Sequence, residues 1–224
     1  MENKILNSLT KADIERIRPK LEVVELVRNQ VIYAAGDKIR FVYFPERSMI
    51  SIIASTESGQ TAEVAVIGSE GATGVDVIMG TDIAVNEHMA QIDDRALRIK
   101  TSDLREECND CGDLQAALLQ FMRRLMAQIS QTALCNRLHN VDKRLSRWLL
   151  MCHDRSGPDP MNLTQEFISL MLGANRTTVT MTAIKLQNLG LISYSRGNLQ
   201  IVDRPGLEAF TCSCYEIIRE AYEK

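Results

Sequence analysis

Residues 163–202, LTQEFISLMLGANRTTVTMTAIKLQNLGLISYSRGNLQIV, leave this chain few choices of fold. Thr164 stands where an N-cap belongs, because its hydroxyl can accept an orphan N–H of the first helical turn. Phe167, Ile168, Met171 and Leu172 then recur at helical spacing. Gly173 follows, the residue best able to end a helix with positive φ. A second helix starts near Asn175, another good N-cap, with Val179, Ala183 and Leu186 on one face and Gly190 at its end. Residues 191–194 and 199–202 alternate as strands around the turn-rich Ser195-Arg196-Gly197-Asn198. Two helices joined by about four residues and followed by a hairpin outline a winged helix-turn-helix.

With Val179 inward, Thr177, Thr180, Met181, Ile184 and Asn188 point away from the core, and Arg176 flanks them at the helix tip. An ordinary amphipathic helix would carry Glu and Lys on that outer face. A helix lying in a major groove instead needs short polar groups, an arginine for guanine edges or phosphates, and methyls for thymine.

Charge is distributed in the same sense. The net charge of −3 argues against a general nucleic-acid coat. Residues 1–111 hold 13 basic and 19 acidic side chains, whereas residues 112–204 hold 11 basic and 6 acidic. The back half can approach phosphate and the front half repels it. At 224 residues the chain has room for two compact domains.

The front half reads as β structure. A short helix is expected over 7–20, capped by Ser8 or Thr10, with Leu9, Ile14 and Ile17 inward. Short apolar strands follow near 23–27, 31–33, 41–44, 49–55, 61–67, 88–92 and 96–99, separated by Gly, Asp and Asn turns. This is the pattern of a small antiparallel sandwich or barrel. Residues 68–86 interrupt it with Gly68, Gly71, Gly74 and Gly80 and room for a short helix. From Asp113 to about Asn140 the period becomes helical, with Leu114, Leu118, Phe121, Leu125, Ile129, Thr132 and Asn136 on one stripe. So long a stripe exceeds what one small barrel needs to cover, and the expectation is a helix that also pairs with its copy in a homodimer, as helix-turn-helix proteins commonly read two half-sites. Residues 141–153 form the first helix of the back domain, with Leu145, Trp148, Leu149 and Cys152 inward. Residues 156–162 are a Pro/Gly-rich loop, 203–206 a turn, and 207–222 a final helix.

In this order the chain resembles the Crp/Fnr family of bacterial transcription regulators over nearly its whole length. Local strings carry the resemblance: Tyr43-Phe44-Pro45-Glu46, Ala62-Glu63-Val64, Gly68-Ser69-Glu70-Gly71, Arg144-Leu145-Ser146-Arg147-Trp148-Leu149-Leu150, Leu163-Thr164-Gln165-Glu166, Met171-Leu172-Gly173, Gly190-Leu191-Ile192 and Cys212-Ser213-Cys214-Tyr215. It implies an α+β fold: an N-terminal antiparallel β-roll like a cyclic-nucleotide-binding domain over 1–111, a long dimerisation helix over 112–140, and a C-terminal winged helix-turn-helix over 141–224. It also implies a homodimeric transcription regulator bound to double-stranded DNA. RNA polymerase and a small-molecule effector are the further partners it suggests.

By the same resemblance Thr164, Asn175 and Thr178 match positions that hold phosphates, Arg176 matches a base-reading arginine, and Ser195 and Arg196 lie in the wing near the backbone. Thr177 and Met181 depart from the charged residues of the best-known members. They suit methyl groups, and thymine is expected beneath them. Thr180 lies on the same face. Members that bind cyclic AMP have a Gly-Glu pair and then an Arg-Ser pair. Here Val75 follows Gly74, and Ile83-Ala84-Val85-Asn86 supplies no arginine. A cyclic phosphate buried there would lack a counter-charge. Cyclic nucleotide binding in the usual way is therefore not expected. A pocket around Gly71, Gly74, Val75 and Val85 would serve another ligand, a protein partner, or neither.

Cys108-x-x-Cys111 and Cys212-x-Cys214 have chelating or redox-like spacings. A zinc ion or thiol switch linking the pairs is one reading. Reduced cytosolic thiols, with Cys135 and Cys152 buried, is the other. His88, His139 and His153 lie scattered along the chain, so no metal or other cofactor is assigned. No enzymatic motif appears. With no signal-peptide pattern and no apolar run long enough to span a membrane, a cytoplasmic location is the expectation.

Overall fold

The computed structural model describes residues 1–110, 112–157 and 161–223. Cys111 and part of the loop expected at 156–162 lie outside the described residues. The chain forms two compact units, Met1–Ile52 with Val66–Leu125, and Ile53–Ala65 with Met126–Lys224.

The first unit opens with two short helices where one was expected. Asn3 caps α1 (Lys4–Asn7), its Oδ1 accepting from the Ile5 and Leu6 N–H groups, and Thr10 caps α2 (Lys11–Ile17). Ser8 closes α1 and so caps no helix N-terminus. Seven strands follow: β1 (Glu22–Leu26), β2 (Val31–Tyr33), β3 (Phe41–Pro45), β4 (Ile50–Ser55), β5 (Thr61–Ile67), β6 (Glu87–Ala90) and β7 (Asp94–Lys100). They pair as two sheets, β1-β7-β3 and β2-β6-β4-β5. The register of β3 on β7 sets Val42 opposite Ile99 and Phe44 opposite Leu97. Because successive side chains alternate in a strand, both pairs face the same side, and all four residues are buried.

Two features of this unit were not anticipated. The polar run after β7 forms α3 (Thr101–Asp110), which buries Leu104 and Cys108 one turn apart. Its Glu107 is 2% exposed and is held by Arg16 and Lys20, each at 2.8 Å. The second feature is His88, which is buried with its Nδ1 against the Thr73 hydroxyl and its ring edge-on to Tyr33. Burial pushes its pKa down to about 4. The unfolded chain therefore binds a proton below pH 6.5 that the folded chain refuses. This contribution to stability is present above pH 6.5 and is lost as pH falls toward 4. Urea unfolding at pH 7 and pH 5.5 is expected to show a loss of about 1 kcal/mol that His88→Leu lacks. An equal loss in both proteins would remove His88 as the cause.

The helix α4 (Gly112–Leu138) has 27 residues, about 40 Å at the helical rise. The second unit continues with α5 (Val141–Ser156), capped by Asn140, and β8 (Met161–Asn162), a two-residue strand the sequence did not signal. Then come α6 (Gln165–Leu172), α7 (Arg176–Asn188), β9 (Ile192–Ser195) and β10 (Asn198–Ile201), the three strands ordered β8-β10-β9. The expected turn at 203–206 is instead the start of α8 (Arg204–Phe210): Asp203 caps it and Pro205 sits in its first turn. The expected single final helix is broken after Phe210, and α9 (Cys214–Glu223) begins anew. Thr211, with ψ −177°, is extended there, and β-branched Thr beside Cys and Ser offers little helix propensity to resist the break. The tip of the β4–β5 hairpin belongs to this unit. There Glu63, 6% exposed, accepts a hydrogen bond from Trp148 Nε1 at 2.8 Å. Among the described residues no helix is long and apolar enough to cross a membrane.

Candidate nucleic-acid interface

The interface is built from caps and turns that the sequence specifies. Thr164 accepts from the Phe167 N–H at 3.1 Å and starts α6. Gly173 ends it at φ +53°, and a side chain there would press on Ala62 Cβ at 3.1 Å and Thr61 O at 3.2 Å. Asn175 then accepts from the Thr177 N–H at 2.8 Å and starts α7. Behind the turn, Phe167, Ile168, Met171, Val179, Ala183 and Leu186 are buried, which fixes the two helices against α5. The wing turns at Arg196 (φ +51°) and Gly197 (φ +85°). Positive φ at both central residues is the two-residue hairpin turn whose twist suits the flanking strands. It puts the Arg196 side chain at the wing tip. The Leu163 N–H donates to Gly197 O at 2.6 Å and Tyr194 Oη to Leu163 O at 2.7 Å, so wing and α6 are tied directly.

One surface results. Thr164, Asn175, Arg176, Thr177, Thr178, Met181, Ser195 and Arg196 are all exposed, and Thr180 is half-buried. A groove of about 290 Å³ runs between α7 and the wing, lined by Thr164, Arg176, Ile184, Gln187, Tyr194 and Arg196 among others. The sequence reading missed Gln165, Gln187 and Tyr194 here. Gln165 Oε1 lies 2.8 Å from the Thr180 hydroxyl and steadies it. Its place as the residue after a helix cap was the available signal. The two cations on α7 differ in freedom. Lys185 is engaged with Asp142, which also accepts from Thr182 Oγ1 at 2.9 Å. Arg176 is 3.6 Å from Glu166, with both side chains about two-thirds exposed. Such a surface pair is worth about 0–1 kcal/mol, so an incoming phosphate or guanine edge can displace Glu166.

The residues read as an effector pocket differ in exposure. Gly71, Gly74 and Val75 are buried, while Val85 is 70% exposed. Gly74 has φ +86°, and the space over it is filled by the Tyr33 hydroxyl, which donates to Phe41 O. Gly71 packs under the Phe121 ring. The residues read as a dimer face are also placed differently. Leu114, Leu118, Phe121 and Leu125 are buried within the protomer, and Ile129 is half-buried. An apolar stripe already covered by its own chain cannot also cover a copy. The apolar surface α4 leaves open is another stripe, with Leu119 50% and Met126 66% exposed. The cysteines regroup as well. Cys212 and Cys214 are joined by Cys135 and His139, so His139 is not isolated as the scattering of histidines along the chain suggested.

Helix, turn, helix and wing with an exposed, short-chained second helix define a winged helix-turn-helix domain. Residues 143–210 match the family model described as the Crp-like helix-turn-helix domain. FixK2 from Bradyrhizobium japonicum is similar in structure over 86% of this chain and 98% of its own, with a TM-score of 0.74 at 15% identity. A transcriptional regulator of the Crp/Fnr family from Eubacterium rectale is similar over 92% of this chain and 97% of its own, with a TM-score of 0.72 at 18% identity. The c-di-GMP responsive global regulator CLP from Xanthomonas campestris is similar over 87% and 100%, with a TM-score of 0.68 at 14% identity. No curated protein matches the chain by sequence. The chain thus has the fold of the Crp/Fnr regulators, with a Crp-like helix-turn-helix in its back half.

Proposed function

We propose that this protein is a sequence-specific DNA-binding transcription regulator, not an enzyme, that works as a homodimer in the cytoplasm. The observation that carries the reading is the exposed face of α7, short-chained and partly apolar, with Arg176 at its tip held only by an exposed pair with Glu166 and Arg196 presented by the wing. In this reading α7 enters a major groove. Arg176 reads a base edge, and Thr177, Thr180 and Met181 meet thymine methyls and neighbouring edges. Thr164, Asn175 and Thr178 hold phosphates, and Ser195 and Arg196 follow the backbone. Functionally the chain divides into a sensor at 1–111, a dimerisation helix at 112–140 and a DNA-binding domain at 141–224. RNA polymerase is the partner through which occupancy would be read. An effector, if one acts on the sensor, is not held as a cyclic nucleotide usually is, because Ile83-Ala84-Val85-Asn86 supplies no arginine for a phosphate and Tyr33 fills the space over Gly74.

Selection of bound duplexes from a random library tests the function. A two-fold-symmetric site with half-site centres about one helical turn apart is expected. Binding without enrichment of any sequence would favour a protein- or effector-binding module on the same scaffold. For the dimer, we place the contact on the stripe Leu119, Met122, Met126, Ile129 and Ala133, which keeps a spacing of three and four residues. Met126→Arg should shift sedimentation from dimer to monomer, whereas Arg123→Ala should not. A dimer that survives Met126→Arg would sink this placement.

A further inference from the structure

Cys135 lies in the last turn of α4, and His139 follows the helix end, its N–H donating to Cys135 O at 3.0 Å. Cys212 stands in the break between α8 and α9, and Cys214 is the first residue of α9. The fold brings these four residues together, so that one potential ligand atom from each lies within 4.8 Å of all the others. We propose that Cys135, His139, Cys212 and Cys214 form a tetrahedral site for one thiophilic divalent ion of the zinc class, which pins the end of α4 to the C-terminal helices.

The dimensions select a single ion. Zinc–sulfur bonds of about 2.3 Å in a tetrahedron put two sulfurs about 3.8 Å apart, and a sulfur and an imidazole nitrogen slightly less. Cys135 Sγ and Cys212 Sγ are 3.7 Å apart, and Cys214 Sγ is 3.5 Å from His139 Nδ1. An iron–sulfur cluster would spread its ligands over several metal atoms, and four atoms this close leave no room for one. Three sulfurs and one imidazole nitrogen are also a donor set that suits zinc and leaves no open position, which marks a structural rather than a catalytic ion.

Charge supplies an independent argument. Arg147 is 3% exposed. It donates to the Thr132 hydroxyl at 3.1 Å and to Met151 Sδ, and its Nε has no hydrogen-bond partner. Among the described residues no carboxylate pairs with it. A buried guanidinium without a counter-charge is costly. Three thiolates around a dication leave a net charge of −1, and Cys135 is close enough to Arg147 to feel its field. Binding the ion drives the three thiol protons into solvent and gives Arg147 the counter-charge it lacks. Arg144, which also acts on Cys135, adds to the effect.

The test uses the full chain, reduced and untagged. Metal analysis of the isolated protein should find about one zinc per chain. After chelation and removal of that ion, titration with cobalt(II) should develop the intense visible bands of thiolate-rich tetrahedral cobalt, saturating at one equivalent. Cys212→Ser and His139→Gln should weaken cobalt binding by more than the roughly 10–100-fold that outer-shell changes cost, and Cys108→Ser should leave it unchanged. The wild-type titration stands even if a variant folds poorly. Reduced wild-type protein that stays colourless with cobalt would overturn the proposal. So would a Cys135–Cys212 disulfide whose reduction creates no cobalt site, since the cluster would then be a redox pair.

Discussion

Arg176→Ala should cost this protein about 1–3 kcal/mol of affinity for its selected site, a loss of roughly 5- to 150-fold. The same change should leave stability within about 0.5 kcal/mol, because the side chain is two-thirds exposed and its ion pair with Glu166 is a surface one. The loss should be specific. On a scrambled duplex the variant and the parent should differ only by the one cation that the variant lacks. Arg196→Ala supplies the contrast: binding should weaken on both duplexes, and the slope of log affinity against log salt should become shallower by about one unit. Fluorescence anisotropy on the two duplexes at several salt concentrations separates these behaviours. Equal losses on both duplexes for Arg176→Ala would turn it from a base reader into a phosphate contact.

The largest effects on stability should come from the contact of Gly71 with Phe121. A Cβ there would overlap the edge of the Phe121 ring and sit 2.8 Å from Ile67 Cγ2. Phe121 is fully buried on α4 and cannot swing into solvent. Gly71→Ala therefore forces the ring or the helix to move, at the 1–3 kcal/mol or so typical of overpacking, and Gly71→Val should cost more. Phe121→Ala alone should cost about 3–5 kcal/mol through the cavity it leaves. Combined with Gly71→Ala it should cost less than the sum, because the new methyl enters the vacated space. A coupling of about 0.5–3 kcal/mol in a urea-unfolding cycle is expected. Strict additivity would mean that the contact relaxes elsewhere.

The helix-turn-helix was legible because its determinants are local. Thr164, Gly173, Asn175 and Gly190 each act within one or two turns of backbone, and a single sequence shows them. The strands were legible for the same reason, through alternation at period two. What failed was long-range or weakly patterned. The helix α3 has only Leu104 and Cys108 to bury among ten mostly polar residues, and β8 has two residues. On α4 the sequence shows many apolar positions but not which stripe its own sheets cover, so Leu118 and Phe121 were assigned outward. The four metal-type ligands are split by more than seventy residues of chain. Half of the signal was nevertheless present: Cys135 and His139 at i and i+4 share one helix face.

The tip of the β4–β5 hairpin lies in the second unit, where Glu63 meets Trp148. The polypeptide thus passes between its two units at three places, not one. A fragment cut at residue 141 would leave Trp148 and Gly173 without the chain that covers them. A second unit expressed alone must carry residues 53–65, or a close imitation, to keep Trp148 and Gly173 covered. The back half is therefore not contiguous in sequence, since residues 53–65 belong to its compact unit.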